Sequence, residues 1–256
     1  MFFTRFPINM TRRETRRLLA SPYLMHAAIA GSFPSDATGD SPINDGRLLW
    51  RVDRLLGGGA YLYIVSLTRP SLVGLDEQIG FPDLPHGWQM RDYNPFLSRI
   101  EDGQSYAFRL VANPSVSRST RGGRSSITDS HGRSKRIGHL TVVQQEAWLI
   151  GGDAYIGSGA EPPELFTGST DTRASRNGFD VVKDECGYPR LVLSNSQTRS
   201  FMRGQKSNRI TLTTAQYDGV LKVTDADALR HALVSGIGHG KGFGCGLLTL
   251  ALPRAE

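Results

Sequence analysis

The run Gly219-Val-Leu-Lys-Val223, Asp225, Ala226 to Val234, Ser235-Gly-Ile-Gly-His-Gly-Lys-Gly-Phe-Gly-Cys-Gly246 and Leu247-Leu-Thr-Leu-Ala-Leu252 decides how the chain is read. Gly219–Val223 reads as a strand, and Asp225 offers the short acceptor side chain of a helix N-cap. Ala226 to Val234 is a helical run, and Leu247–Leu252 is a short apolar strand. Between that helix and that strand, six glycines alternate with single residues from Gly236 to Gly246. No helix or ordinary strand suits such a run, because glycine loses most entropy on ordering and enters φ > 0 freely. Strand, helix, loop and strand in this order are half of an antiparallel α+β unit.

Lys241 lies at the centre of the glycine run. A cation among backbone N–H groups that can approach closely suits a polyanion, phosphate foremost. The alternative is a plain flexible connection. A P-loop needs four residues between its first glycine and the Gly-Lys pair, then Ser or Thr, then a helix. Here three residues separate Gly236 from Gly240-Lys241, and Gly242 follows. The dinucleotide fingerprint runs from strand into helix, the reverse of this order.

The N-terminal half repeats the theme. Met1 to Ile8 can start a sheet, and Thr11-Arg-Arg-Glu14 has the spacing of a capping box. Ser21-Pro22 then opens a second helix through Ile29, with Ser as N-cap and Pro at the first helical position. Leu48–Leu55 and Ala60–Leu67 flank Gly57-Gly-Gly59 as a hairpin, and Ser105–Ala112 alternates as a further strand. With a weak helix between Ser71 and Ile100, the order is that of a ferredoxin-like unit, which RNA-recognition motifs share. The second half adds a helix at Val142–Ile150 and short strands at Phe179–Val182, Leu191–Leu193 and Ile210–Thr214. The expected fold is therefore α+β, two tandem ferredoxin-like (RRM-like) domains over 1–117 and 140–256. Residues 118–139 read as a basic linker or loop, since Arg118, Arg121, Arg124, Arg133, Lys135 and Arg136 stand among Gly and Ser.

Composition bounds the partners. The chain carries 30 Lys+Arg against 24 Asp+Glu, a net +6 at pH 7, and only five of the cations are lysine. Arginine recognises phosphate through a planar fork and stacks on bases, so the balance points toward nucleic acid. A GC-rich genome yields the same arginine bias without function. No apolar run approaches the ~18–20 residues of a membrane span, and Met1–Pro7 lacks the features of a signal peptide. Cys186 and Cys245 stand apart without metal-ligand spacing, so a reduced, cytoplasmic protein without a metal or other cofactor is expected. The turn-rich stretch bearing Arg199, Arg203, Lys206 and Arg209 adds cations for a phosphate backbone.

Among six histidines, none has zinc-binding spacing. His26 stands out because it lies on a helix with Tyr23 three residues earlier, on one face. Imidazole titrates near neutrality and suits proton transfer, though a helical histidine is more often structural. Tyr23-Leu-Met-His26 with Phe33-Pro34, Ala147-Trp148-Leu149, and Gly219–Val223 with Asp225, Gly236-Ile-Gly238 and Lys241-Gly-Phe-Gly-Cys-Gly246-Leu-Leu come in one order. Together they resemble the CasE family, the CRISPR repeat-processing endoribonucleases of type I-E systems.

That resemblance implies a metal-independent nuclease that binds the repeat stem-loop and cuts at its 3′ base. It implies product retention within Cascade, so the expected partners are repeat RNA, mature crRNA and other Cascade subunits, with no membrane. His26 would be the proton-transfer residue and Tyr23 its neighbour at the scissile site. The loop glycines Gly236, Gly238, Gly240, Gly242, Gly244 and Gly246, with Lys241, would contact RNA or support the first helix. Attack by the 2′-OH would leave 2′,3′-cyclic phosphate and 5′-OH ends. Some relatives carry a cation shortly after the histidine, where this chain has Ala27, Ala28, Ala30, Gly31 and Ser32. Lys241, Arg199, Arg203 and Lys206 are the alternatives for transition-state charge. Whether His26 is base or acid stays open, as does a non-catalytic hairpin-binding subunit.

Overall fold

The computed structural model describes residues 1–34, 48–84, 87–117, 136–155, 171–203 and 208–253. Its first unit comprises β1 (Phe2–Ile8), α1 (Arg13–Ala20), α2 (Pro22–Ala30), β2 (Leu49–Arg54), β3 (Ala60–Ser66), α3 (Val73–Ile79) and β4 (Gln89–Asp92). These strands form an antiparallel sheet in the order β2-β3-β1-β4. After α4 (Asn94–Leu97) come β5 (Ser105–Ala112), β6 (Ser115–Ser117), β7 (Arg136–Gly138) and α5 (Val142–Ile150). The chain continues through β8 (Phe179–Val181), β9 (Leu191–Arg203), β10 (Asn208–Val223), α6 (Ala226–Ser235) and β11 (Leu248–Ala251). The second sheet has the order β11-β5-β10-β8, with β9 also paired to β10. In each unit the first strand lies inside its sheet, flanked on one side by the last strand and on the other by β3 in the first unit and β10 in the second. Two tandem ferredoxin-like folds result, as the element order implied.

One strand joins a different sheet from that expected. β5 pairs with β10 and β11, so Ser105–Ala112 opens the second sheet instead of closing the first. The first sheet is closed by β4, whose Gln-Met-Arg-Asp sequence is mostly exposed. A short polar edge strand carries no alternation to detect. β5 does alternate, burying Tyr106, Phe108, Leu110 and Ala112, but alternation marks a buried face without naming the sheet. The passage between sheets thus falls between Asp92 and Ser105, ahead of the boundary expected at 117. Residues 118–135, with Arg118, Arg121 and Arg124, lie outside the described residues. β6 and β7, on either side of them, pair with each other.

Local signals fared unevenly. Ser21 accepts from the Leu24 amide at 3.4 Å, and Asp225 accepts from the Ala228 amide at 2.9 Å. The expected capping box at Thr11–Glu14 does not form. α1 starts at Arg13 without a side-chain cap, Thr11 bonds Asn9, and Glu14 is taken by Arg17. The supposed turn-rich stretch at Arg199 to Arg209 includes the paired ends of a long hairpin. Hydroxyl pairs Thr198–Thr213 and Ser200–Thr211 link β9 to β10 there, in place of apolar contacts that a hydropathy reading would find.

Two cores meet across the first sheet. Phe6 and Ile8 of β1 and Leu62 and Ile64 of β3 pack on Leu18, Met25 and Ile29 of the helices. Leu49 and Val65 point the other way and join the second unit's core with Phe108, Leu110, Leu233 and Leu248. Full burial of such side chains contributes about 1.5–3 kcal/mol each, so the shared face is a firm joint. Arg51 crosses it. Its guanidinium binds Asp53 through two nitrogens and donates to the Leu247 and Arg109 carbonyls and to Thr249 Oγ1. Arg109 in turn reaches Asp53 and Asp218.

Candidate nucleic-acid interface and histidine cleft

α2 buries Pro22, Met25 and Ile29 against the first sheet, which turns His26 and Tyr23 toward the second unit. Tyr23 packs against a small buried cluster of Phe201 and Leu212 of the long hairpin and Cys245 of the glycine loop, which Ile210 and Phe243 also cover. His26 is half-buried. Its Nδ1 accepts from the Trp50 indole N–H at 3.3 Å. Its Nε2 edge faces the loop, and an ideal Cβ built on Gly242 would sit 3.8 Å from Nε2. His26, Leu48 and residues Gly238 to Gly242 enclose a cleft of about 310 Å³. Burial holds the His26 pKa below the ordinary imidazole value, because the cation loses solvation there.

The loop is ordered by packing and by its own backbone. The amides of Gly236, Ile237, Phe243, Gly244, Cys245 and Gly246 all bond protein carbonyls. They are not open to a ligand, so Gly236, Gly244 and Gly246 support the site instead of clamping phosphate. Gly244 has φ +82° and lies flat on Trp50, with its built Cβ 2.8 Å from the ring. Gly238 lies equally close to Trp148, Gly236 to Leu49, and Gly240 approaches Leu212. A side chain at these positions meets both a wall and an unfavourable φ. Lys241 donates to the Ser235 carbonyl at 2.6 Å, drawing the loop's centre toward the end of α6. Lys241 and His239 both line the cleft beside His26.

A second groove of about 610 Å³ runs between α1–α2 and the long hairpin. Arg54, Arg109, Arg199, Trp50 and Phe243 are among its lining residues. Arg199 thus stands near the candidate site, on β9, with its Nε bonded to Gln197. Arg209 is exposed on β10 and pairs in register with Met202. Lys206 and the Arg203 side chain lie outside the described residues. Sequence reading passed over Trp50, His239 and Arg54. Trp50 showed only as an inward position of an alternating strand, and nothing local marks its N–H as aimed at a histidine. Cys245 beside the site is no nucleophile, since burial pushes its thiol up to about 12. The arrangement provides an imidazole edge, a cationic rim and a backbone wall, which suits an anion presented with a transferable proton.

Comparison with known proteins gives a consistent picture. The family described as CRISPR associated protein matches residues 1–252. CRISPR-associated endoribonuclease Cse3 of Thermus thermophilus is 26% identical, covering 98% of this chain and 100% of that protein. The structure of Thermus thermophilus Cse3 bound to an RNA representing a pre-cleavage complex is similar with a TM-score of 0.64 at 24% identity, covering 98% of each chain. A chain of a CRISPR RNA-guided surveillance complex in its pre-nicking state is similar with a TM-score of 0.61 at 23% identity, covering 99% of this chain and 100% of that one.

Proposed function

Because this chain belongs to the CRISPR associated protein family, we propose that it is an endoribonuclease that binds the CRISPR repeat stem-loop and cleaves precursor crRNA without a metal. The observation that carries the reading is His26. Its Nε2 edge opens into a cleft walled by the glycine loop, in a chain that parallels an endoribonuclease over its whole length. RNA brings its own nucleophile. The 2′-O–P bond forms as the P–O5′ bond breaks, the 2′-OH loses a proton and O5′ gains one. The protein aligns the atoms in line and stabilises the developing charge. His26 is the group in reach of that proton traffic, with Tyr23 beside it on α2.

Arg199, Arg209, Lys241 and the loop residues Gly238, Gly240 and Gly242 would meet the phosphates. Arg203, Lys206, Arg118, Arg121 and Arg124 would extend that surface. The first unit then supplies the reacting helix and the second supplies loop and hairpin. After cleavage the protein stays on the crRNA hairpin as a subunit of Cascade, in the cytoplasm. The products are 2′,3′-cyclic phosphate and 5′-OH ends.

The test is cleavage of a repeat hairpin in excess EDTA, wild type beside His26→Ala, with end analysis. Wild type is expected to give cyclic-phosphate product. His26→Ala is expected to lose about 10²–10⁴-fold in rate, the range for removing a group that donates to or exchanges protons with the reacting oxygens, with hairpin affinity within about twofold. Tight binding with no cleavage by either protein would leave a non-catalytic hairpin-binding subunit.

A further inference from the structure

The Trp50–His26 contact restricts what the imidazole can do. An indole N–H is a donor and never an acceptor, so the nitrogen facing it must present a lone pair. That nitrogen is Nδ1, at 3.3 Å. In neutral His26 the proton then sits on Nε2, the edge facing Gly242 and the cleft. Protonating Nδ1, either in the other tautomer or in the cation, would oppose two N–H groups.

Trp50 cannot readily turn away from this contact. It is 4% exposed on β2, and Gly244 lies against its ring with no room for even a methyl group between them. The surroundings favour the same state. Among the described residues, the charged and titratable groups lining the two cavities beside the pair are Lys241, His239 and the buried Cys245 on the loop, Arg51 and Arg54 on β2, Arg109 on β5 and Arg199 on β9. No acid is among them to draw a proton onto His26, and its burial acts in the same direction.

We infer that Trp50 is a positioning residue that holds His26 as its Nε2–H tautomer, so that His26 meets the RNA as a hydrogen-bond donor and not as the base for the 2′-OH. The donor role rests on the cleavage reading above; the tautomer does not. In this scheme the 2′-OH proton passes to water, and O5′ takes its proton from water. The Nε2–H bond stabilises the charge developing on the phosphate and on O5′, without net transfer from the imidazole.

The side-chain ¹H–¹⁵N spectrum of the full-length protein tests this directly, with His26 assigned by comparison with His26→Ala. Wild type is expected to show Nε2 protonated and Nδ1 unprotonated near pH 7.5. Trp50→Phe keeps an aromatic side chain, smaller than the indole, and removes the donor. It is expected to mix the tautomers and to raise the His26 titration midpoint. On a CRISPR-repeat hairpin RNA, its single-turnover rate is expected to fall about tenfold, the value of one net hydrogen bond. Hairpin affinity should hold within twofold, with the loss of rate following the lost Nε2–H population. A protonated Nδ1 in wild type would overturn the inference, as would an unchanged tautomer and titration in Trp50→Phe. Should Trp50→Phe fail to fold, the wild-type spectrum alone decides. A wild type that shows the expected tautomer and leaves repeat RNA uncut would sink the nuclease reading and spare the tautomer.

Discussion

Trp50 and Arg51 are consecutive residues of β2, and they do opposite work on opposite faces. Side chains alternate along a strand, so Trp50 turns with Leu48 and Val52 toward α2, while Arg51 turns with Leu49 and Asp53 toward the second unit. The Arg51 side is a closed account of charge: one buried guanidinium has partners on β2, β5 and around β11. The Trp50 side is left open. One long hydrogen bond aims an imidazole into a cleft, and the wall opposite is glycine. The joint is built for rigidity, and the site beside it keeps a polar edge free for a ligand.

Substitutions that separate the two faces should show it. The largest effect is expected from Arg51→Ala, which leaves Asp53 buried with only the more distant Arg109. Removing one partner of a buried pair costs about 3–5 kcal/mol, read as the shift in urea unfolding free energy. A loss under about 1 kcal/mol would mean that the joint relies on apolar packing alone. Gly244→Ala comes next, at about 1–3 kcal/mol, because it combines a left-handed φ with a collision against the Trp50 ring. It should disturb the His26 spectrum as well as stability. Gly242→Ala sharpens the contrast, since its methyl would make ordinary contact at 3.8–3.9 Å with the His26 edge. Stability should stay within about 0.5 kcal/mol while repeat cleavage slows, placing the damage on the open face alone.

The smallest effect concerns pH. Burial lowers the folded-state pKa of His26 and of His139, so below about 6.5 the unfolded chain binds the extra protons first. Stability contributed by these two groups is therefore present above that pH and lost as pH falls through it. Unfolding midpoints between pH 7.5 and 5.5 should decline more steeply in wild type than in the His26→Ala/His139→Ala double variant. Equal slopes would show that both rings keep their solvation in the fold.

The legible parts were those that a short segment encodes alone. The Ser21-Pro22 start of α2, the Asp225 cap, the β2–β3 hairpin around Gly57–Gly59 and the glycine run each carry local chemistry that states its own structure. β4 was hidden because four polar edge residues have no pattern, and the hairpin ends at Arg199 and Arg209 because hydroxyl pairs hold them. The candidate site was half visible. His26, Tyr23 and the glycine loop could be found, whereas Trp50 and His239 could not, since nothing nearby in sequence gives either a partner.

By itself, then, the sequence determined the α+β character, the order of the elements, the basic balance and the helix that carries Tyr23 and His26. Only the tertiary structure decided that β5 belongs to the second sheet and that Arg51 ties the units together. It also decided that three loop glycines serve packing and that an indole N–H meets His26. The physical reason is one of range. Periodicity and caps fix which face a residue turns inward, because they act within a few residues. What waits on that face is supplied by strands and loops as far as 198 positions away, as between Arg51 and Thr249, and no local pattern encodes it.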